Sequence, residues 1–411
     1  MLRQIIASLA CLLTLAAHAD PVDEALLGQV GSGTMTESLA ALEDIVAANP
    51  DDDRARLALG MLKIIKTGET TSQWLYRYGA GNPTRQASVF VFPMVASIPG
   101  NPDPEKLTLE EIDRFMIQWM EELDEAHAIL AEIKDPAVKL EVDLAKLRFD
   151  LNGNGIASDN ERAGIALNVL FTGGRPAGGE VPSFVVAADR ADVNWMIAYT
   201  HVFRAMGEMF LAHDFSNIFN RAGHIIFPNT DTPYEFLQQR TLFDPTMSGL
   251  DVTDMIAFFH SLRFEVDEPE RMENARQHFL KAIEHSRAMW VYALMETDND
   301  REWLPNPNQD AALRGMKMTD ERIRLWRDLL DETEDALRGE KLVRFWRGDG
   351  SQGIDLKRVF QEPETLDVLL WIQGTAAAPY LEEGEYTRDF LWRDFEDAFG
   401  DNPFRYIFYI N

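Results

Sequence analysis

Long amphipathic stretches with helical periodicity dominate this chain and restrict it to folds built from packed helices. In residues 109–133, for example, the apolar side chains of Ile112, Met116 and Trp119 recur at steps of three and four, with acidic residues between them. Alternation with a period of two, which is typical of strands, is confined to residues 89–95, 342–346 and 404–410. The sequence therefore predicts an all-α, multi-helical protein with at most a few short strands.

The predicted helices cover most of the chain. They span residues 39–48, 53–66, 109–133, 137–149, 191–212, 252–264, 269–295, 319–337 and 386–399. Pro269 in the first turn of one helix and Thr319 before the acidic start of another match the preferences of helix N-termini. The apolar run at residues 366–372 predicts a further, buried helix.

The first nineteen residues have the pattern of a secretory signal peptide. Arg3 supplies the positive charge, residues 5–17 form a short apolar run, and Ala17-His18-Ala19 offers a small-x-small cleavage site. That run is shorter than the roughly 20 residues a bilayer requires, and no later stretch is both long and uncharged. We therefore expect an exported protein, periplasmic or secreted, with no membrane span.

Charge and cysteine usage exclude several classes of function. Acidic side chains outnumber basic ones by 68 to 39, and the formal net charge is -29. Nucleic acids and anionic lipids bind to clustered Lys and Arg, so the acidity argues against both kinds of partner. Cys11 is the only cysteine and lies inside the predicted signal peptide, which excludes disulfides, thiol catalysis and cysteine-ligated metals from the rest of the chain.

A proline separates two helical stretches near the N-terminus. Leu42 and Ile45 precede Pro50, and the pair Leu59-Gly60 follows it. The interval of about residues 36–68 resembles a junction in the tetratricopeptide repeat family, which implies a helical hairpin with a close packing point at the Leu-Gly pair. No 34-residue recurrence follows, so the resemblance predicts one hairpin rather than an array.

We accordingly divide the chain into three parts. Residues 1–19 are the signal peptide, residues 20–105 an N-terminal, tetratricopeptide-like helical region, and residues 106–411 a larger helical body.

The segment 150–161 carries the strongest local motif. Oxygen-bearing side chains alternate along it around a central glycine: Asp150, Asn152, Asn154, Gly155, Ser158 and Glu161. A hard divalent cation takes six to eight oxygen ligands at roughly 2.3–2.6 Å, and a short segment supplies them when alternate side chains point inward and the chain turns sharply midway. The motif resembles the twelve-residue calcium loop of the EF-hand family.

The resemblance implies a Ca²⁺ site between two helices, residues 137–149 and residues 162–170. The ligands would be the side-chain oxygens of Asp150, Asn152, Asn154 and Ser158, the backbone carbonyl of Ile156, and both carboxylate oxygens of Glu161. Only two of these ligands are charged and no second loop of the pattern follows. We therefore expect weak binding, with a Kd of roughly 10⁻⁴–10⁻³ M, and an ion that stabilises the fold rather than one that acts as a calcium sensor. The alternative is a turn rich in Asn and Gly, capped by Asp150.

Other constellations of titratable residues are less specific. His278 and His285 are seven residues apart on one predicted helix and therefore share a face, which could present two imidazoles to a metal ion. Structural or exposed helix histidines are the more common outcome. Residues 298–302 alternate acids without a glycine or a closing carboxylate, which favours a solvated acidic turn.

The predicted function is calcium binding in an exported module that binds a protein, a peptide or another ligand. No GxSxG, SxxK or HExxH motif occurs, so the sequence leaves catalytic activity open and favours a binding protein. The alternative is an extracytoplasmic hydrolase with structural calcium, whose helical cleft would use His201, Glu208, His213 or His224.

Overall fold

The computed structural model describes most of the chain. The described residues are 20–31, 34–80, 98–158, 161–163, 183–239, 252–313, 316–388, 391–399 and 409–410. The predicted signal peptide and the predicted strand 89–95 lie outside them, as does the predicted exiting helix after residue 163. Within them the protein is built of helices with short antiparallel strands between them, which confirms the all-α prediction.

Three helices open the described chain: α1 (Pro21–Gly31), α2 (Met35–Ala48) and α3 (Asp53–Arg77). Helix α2 begins with a reciprocal cap, in which the Thr34 hydroxyl accepts from the Glu37 N–H and the Glu37 carboxylate accepts from the Thr34 N–H. Helix α3 continues eleven residues beyond the predicted end at residue 66, because Gly68 and the polar residues after it do not interrupt the backbone hydrogen bonding.

Helix α4 (Leu109–Ala131) packs against α3 at a point of very close approach. A Cβ on Gly60 would lie 2.6 Å from the Leu130 side chain, so only glycine permits this contact. The fully buried side chains of Leu57, Leu62 and Leu130 surround it and form part of one of the hydrophobic cores.

The prediction of a helix at residues 137–149 is wrong. The segment forms strand β1 (Lys139–Asp143), which pairs antiparallel with β2 (Val185–Asp189), followed by a 3₁₀ turn at Leu144–Lys146. Leu140 and Val142 are buried on one face of β1 while Glu141 is exposed. A partner strand 40 residues away supplies the backbone hydrogen bonds, and local periodicity does not reveal it.

The centre of the molecule is formed by two long helices that follow β2. They are α5 (Arg190–Leu211) and α8 (Pro269–Ala293). Between them the chain forms the short helices α6 (Ser216–Ala222) and α7 (Val252–His260) and the strand β3 (Arg263–Phe264). Helix α8 lies along α5, and α4 packs on α5 as well. Gly207 lets Met120 approach α5, since a Cβ there would lie 2.4 Å from the Met120 sulfur.

The C-terminal third adds helices and small strands around the outer face of α8. In chain order they are α9 (Asp320–Arg338), β4 (Val343–Arg344), β5 (Gly353–Ile354), α10 (Leu356–Gln361), β6 (Leu366–Asp367), α11 (Val368–Gln373), β7 (Leu381–Glu382) and α12 (Leu391–Phe399). Trp290 and Trp326 are almost completely buried between α8 and α9.

Four further expectations from the sequence need correction. The run 366–372 is not a buried helix: its first two residues pair with β3, and in α11 Ile372 remains 69% exposed. The same pairing ends the predicted helix 252–264 at His260. The Leu342 N–H donates to the Glu385 carbonyl and the Thr387 N–H donates to the Leu342 carbonyl, so the start of the predicted helix 386–399 is extended chain, and α12 spans Leu391–Phe399. The predicted strand 342–346 is present as β4, whereas Tyr409 and Ile410, in the predicted strand 404–410, are helical.

None of the described helices combines the length and the apolar character that crossing a bilayer demands.

Candidate functional site

The loop at residues 150–158 is an irregular turn that follows the 3₁₀ segment after β1. Gly153 and Gly155 have φ values of +72° and +79°, in the left-handed region that side-chain-bearing residues rarely adopt. No atom lies within 4 Å of a Cβ placed on Gly155, so conformation rather than space requires glycine there. The reversal expected at the sixth loop position is therefore built into the backbone.

Asp150, at the first position of the loop, is buried and 7% exposed. Its Oδ1 accepts a hydrogen bond from the Asn154 N–H at 3.0 Å, and its Oδ2 accepts one from the Gly155 N–H at 2.7 Å. Both oxygens thus face the inside of the turn and accept from backbone N–H groups there.

Glu161, at the twelfth position, is equally buried. Its Oε1 accepts from the Leu151 N–H at 2.9 Å, and its Oε2 accepts from the N–H and the hydroxyl of Ser158 at 2.9 and 2.6 Å. The closing carboxylate therefore contacts both the beginning and the ninth position of the loop, so the two acids are held in one small structure.

The amide side chains at the third and fifth positions make short-range turns. Asn152 Oδ1 accepts from the Asn154 N–H at 3.0 Å, and Asn154 Oδ1 accepts from the Ile156 N–H at 2.8 Å. The Ile156 side chain is 65% exposed. These bonds are those of an Asx-rich turn, so the alternative drawn from the sequence also fits this part of the loop.

Helix α3 supplies contacts to the loop that the sequence analysis did not identify. Glu69, which is buried and bonded to Lys66, accepts from the Asp150 N–H at 2.8 Å. Gln73 donates from Nε2 to the Asp150 carbonyl at 2.8 Å. The two residues are four apart on one helical face, which is the only signal of their common role, and they lie beyond the predicted end of that helix.

At the base of the loop a short ladder stands in place of the predicted entering helix. The Phe149 N–H donates to the Glu161 carbonyl, the Ala163 N–H donates to the Leu147 carbonyl, and Arg148 is bridged to Arg162 in the antiparallel sense. The entering helix of the EF-hand resemblance is therefore replaced by extended chain.

A second group of acids lies where β2 meets α5. Carboxylate oxygens of Asp189, Glu296 and Glu302 lie within 4.8 Å of one another, and Asp192 caps the same helix end. Burial raises the pKa of Glu296 to about 10, with a hydrogen bond to Asp189 adding to the effect, and burial raises the pKa of Glu302 to about 7. Burial also raises the pKa of Asp192 well above its usual range. At neutral pH this group therefore retains protons that are shared between carboxyls.

The acidic segment 298–302 belongs partly to this group. Lys139 Nζ contacts Asp298 at 2.6 Å and Asp300 at 3.0 Å, so a lysine already offsets these two charges. Asp298 is exposed, as expected for a solvated turn, whereas Glu302 is only 2% exposed. Arg301 between them has a φ of +85°. The prediction of a solvated turn thus describes the start of the segment and not its end.

Four imidazoles meet where α4, α5 and α8 pack together: His127, His201, His278 and His285. His201 is at the centre, with its Nδ1 at 3.0 Å from the Nδ1 of His278. Its ring centroid is 4.7 Å from that of His127 and 5.8 Å from that of His285. The shared face of His278 and His285 was expected from their spacing, whereas the meeting with His127 and His201 depends on tertiary packing.

The four residues of the hydrolase alternative have four different partners. His201 contacts the other imidazoles, and Glu208 forms an ion pair with Arg271 at 2.9 Å. His213 Nδ1 lies 2.7 Å from the carbonyl of Met209, and His224 Nε2 lies 3.5 Å from Asp254.

Comparison of the chain with models of protein families, with curated proteins and with solved structures finds no significant match. Functional inference consequently depends on the chemistry of these residues.

Proposed function

We propose that the loop at residues 150–161 binds one Ca²⁺ ion and that the ion stabilises the protein. The observation that carries the proposal is the burial of two carboxylates, Asp150 and Glu161, in one turn. Within the described part of the chain, the hydrogen bonds to these carboxylates come from N–H and O–H groups of the loop, and no Lys or Arg there forms an ion pair with either. Buried charges need a compensating partner, and a cation meets that need.

The donor set favours calcium over other common ions. All of the predicted ligands are hard oxygens, which suit Ca²⁺ and Mg²⁺ rather than softer transition ions. Mg²⁺ demands near-ideal octahedral geometry and retains water, whereas Ca²⁺ accepts six to eight ligands in irregular arrangements. A loop with two carboxylates and two amides matches the second behaviour. Its low ligand charge supports an affinity of roughly 10⁻⁴–10⁻³ M, which suits an exported protein.

The expected effect of the ion is mechanical. Ca²⁺ would hold the two ends of the loop together, and the bonds from Glu69 and Gln73 to Asp150 would transmit that order to helix α3. Because the unfolded chain does not form the site, free calcium at ten times Kd would add about 1.4 kcal/mol to the free energy of unfolding. The proposed role in binding a protein or peptide partner stays a prediction from the sequence.

Calorimetric titration with CaCl₂ tests this proposal. We expect one ion per chain for the wild-type protein, and a large loss of affinity in Asp150→Asn and in Glu161→Gln, which preserve size and remove one charge. Asp51→Asn and Glu132→Gln change exposed acids outside the loop and serve as matched controls. Equal heats in the loop variants and in the controls would contradict the proposal.

A further inference from the structure

The four-histidine cluster, comprising His127, His201, His278 and His285, has a donor set unlike that of the loop. Three separate helices bring these residues to one point: α4 carries His127, α5 carries His201, and α8 carries the other two. From these contacts we infer that the cluster is a binding site for a divalent transition ion of the Zn²⁺ class, independent of the calcium loop.

The spacing of His201 and His278 suits two ligands of one ion. Zn²⁺ binds imidazole nitrogen at about 2.0–2.1 Å, so two nitrogen ligands of a tetrahedral ion are separated by about 3.3 Å. The observed Nδ1 to Nδ1 distance of 3.0 Å is close to that value. An ion between these nitrogens would replace a single hydrogen bond with two metal–ligand bonds.

His285 is oriented by a neighbouring amide. Its Nδ1 lies 3.2 Å from Asn194 Oδ1, while Asn194 Nδ2 donates to the Arg190 carbonyl at 3.1 Å. Because the amide oxygen can only accept, the proton of His285 is on Nδ1 and the lone pair is on Nε2. An outer hydrogen bond that fixes the tautomer and frees one nitrogen is the arrangement that metal-bound histidines use.

The third ligand requires a ring rotation. Among the described residues, the sets of three whose donor atoms all lie within 4.8 Å of one another are carboxylate sets, so the imidazoles hold two nitrogens at ligand spacing as they stand. The centroid of His127 is only 4.7 Å from that of His201, and His127 and His285 are both partly exposed. Rotation of the His127 ring about its Cβ–Cγ bond would supply the third nitrogen and leave the contact of His285 with Asn194 in place.

Burial keeps the four imidazoles in their neutral form. Burial lowers the pKa of His201 to about 2 and that of His278 to about 4, and burial also lowers the pKa of His127 and of His285. Neutral imidazole is the form that ligates metals. Arg204 is the nearby cation that lowers three of these pKa values further, and its ion pair with Asp124 at 2.7 Å offsets part of its charge.

Ligand chemistry selects the class of ion. The four donors are nitrogens without a carboxylate among them, which suits Zn²⁺, Cu²⁺ or Ni²⁺ and does not suit Ca²⁺ or Mg²⁺. The two proposed sites should therefore discriminate between ions that are added together.

Titration with ZnCl₂ in excess CaCl₂ tests the inference on chelator-treated, dialysed protein. We expect one Zn²⁺ per chain with a Kd of roughly 1 μM or below. His201→Gln, His278→Gln and His285→Gln should each weaken binding by about tenfold or more. His260→Gln, an exposed histidine on α7, is the control and should bind Zn²⁺ like the wild type.

The overturning results are equally definite. Zn²⁺ affinity that is absent at micromolar concentration, or unchanged in the three variants, would refute the site, as would affinity that is lost in Asp150→Asn instead. Should a variant fail to fold, ¹⁵N spectra of histidine-labelled wild-type protein decide the matter. Zn²⁺ must shift the imidazole nitrogens of the cluster, and a spectrum without such shifts rejects the inference.

Discussion

The loop at residues 150–161 and the four-histidine cluster differ in how the fold assembles them. The donors of the loop come from twelve consecutive residues, and backbone turns at Gly153 and Gly155 arrange them. The donors of the cluster come from three helices and meet only because those helices pack together. We therefore expect the loop to keep its ion preference when a substitution weakens packing in the hydrophobic core. The cluster should lose its ion preference under the same change, because its helices would no longer hold the imidazoles together.

The largest expected effect is a loss of stability from a core substitution that should weaken ion binding at the histidine cluster and not at the loop. Trp290 is 0% exposed on α8, the helix that carries His278 and His285, and we expect Trp290→Ala to lower the free energy of unfolding by about 3–5 kcal/mol. Urea denaturation measures this loss. The folded variant should bind Zn²⁺ more weakly and Ca²⁺ normally. Val291→Ala, at a position 53% exposed on the same helix, should change neither stability nor binding, and a similar loss in both variants would contradict the argument.

An intermediate effect tests the opposite half of the comparison. Glu69→Ala removes the acceptor of the Asp150 N–H and the partner of Lys66, both beside the loop. Because the N–H is left unpaired in a buried place, we expect a loss of about 1–3 kcal/mol in stability, together with weaker Ca²⁺ binding and unchanged Zn²⁺ binding. Glu69→Gln keeps an acceptor oxygen and should restore most of both. If the glutamine variant behaves like the alanine variant, the contact does not order the loop.

The smallest effect concerns the acids that hold protons. The pKa of Glu296 is raised from 4.5 to about 10 in the folded protein, mainly by burial. The stability it contributes is fully present below about pH 4.5 and is lost as the pH rises through about 10. Glu296→Gln should therefore flatten the decline of stability on the alkaline side. The gain should be on the order of 1 kcal/mol near pH 9, because solvent screens this half-exposed group.

Thermal unfolding over a pH series measures this effect. Glu340→Gln, at an exposed position, is the control and should leave the pH profile as it is. A parallel shift of both variants would show that Glu296 titrates normally.

Much of the helical fold follows from the sequence alone because its determinants are local. The caps at Thr34 and Thr319 act within three residues, and the apolar face of α4 repeats at helical spacing. The predictions of secondary structure are wrong where pairing with a segment distant in sequence determines the structure. Residues 139–143 become a strand because β2 pairs with them, and Leu366 pairs with β3 in place of starting a helix.

The same division applies to the candidate sites. Asp150, Asn154, Gly155 and Glu161 lie in one turn, as their contiguous spacing indicates, and calcium binding there stays a prediction. Glu69 and His127 could not be recognised, since each is an ordinary helix residue until another element packs against it. Sequence spacing shows which residues share one face of a helix, but it does not show which residues of different helices come into contact.

The pairing of β1 with β2 closes a connection of about 40 residues, and the loop at residues 150–161 lies inside it. Pairing the two strands closes this connection into a chain loop, which costs conformational entropy. That entropic cost grows only with the logarithm of the number of residues in the connection. Clamping twelve residues of the connection would shorten its effective length to about 30 residues and ease closure by only about 0.3 kcal/mol. Removal of calcium should therefore leave β1 paired with β2. Amide hydrogen exchange should accelerate in the loop, while the amides of β1 and β2 stay protected.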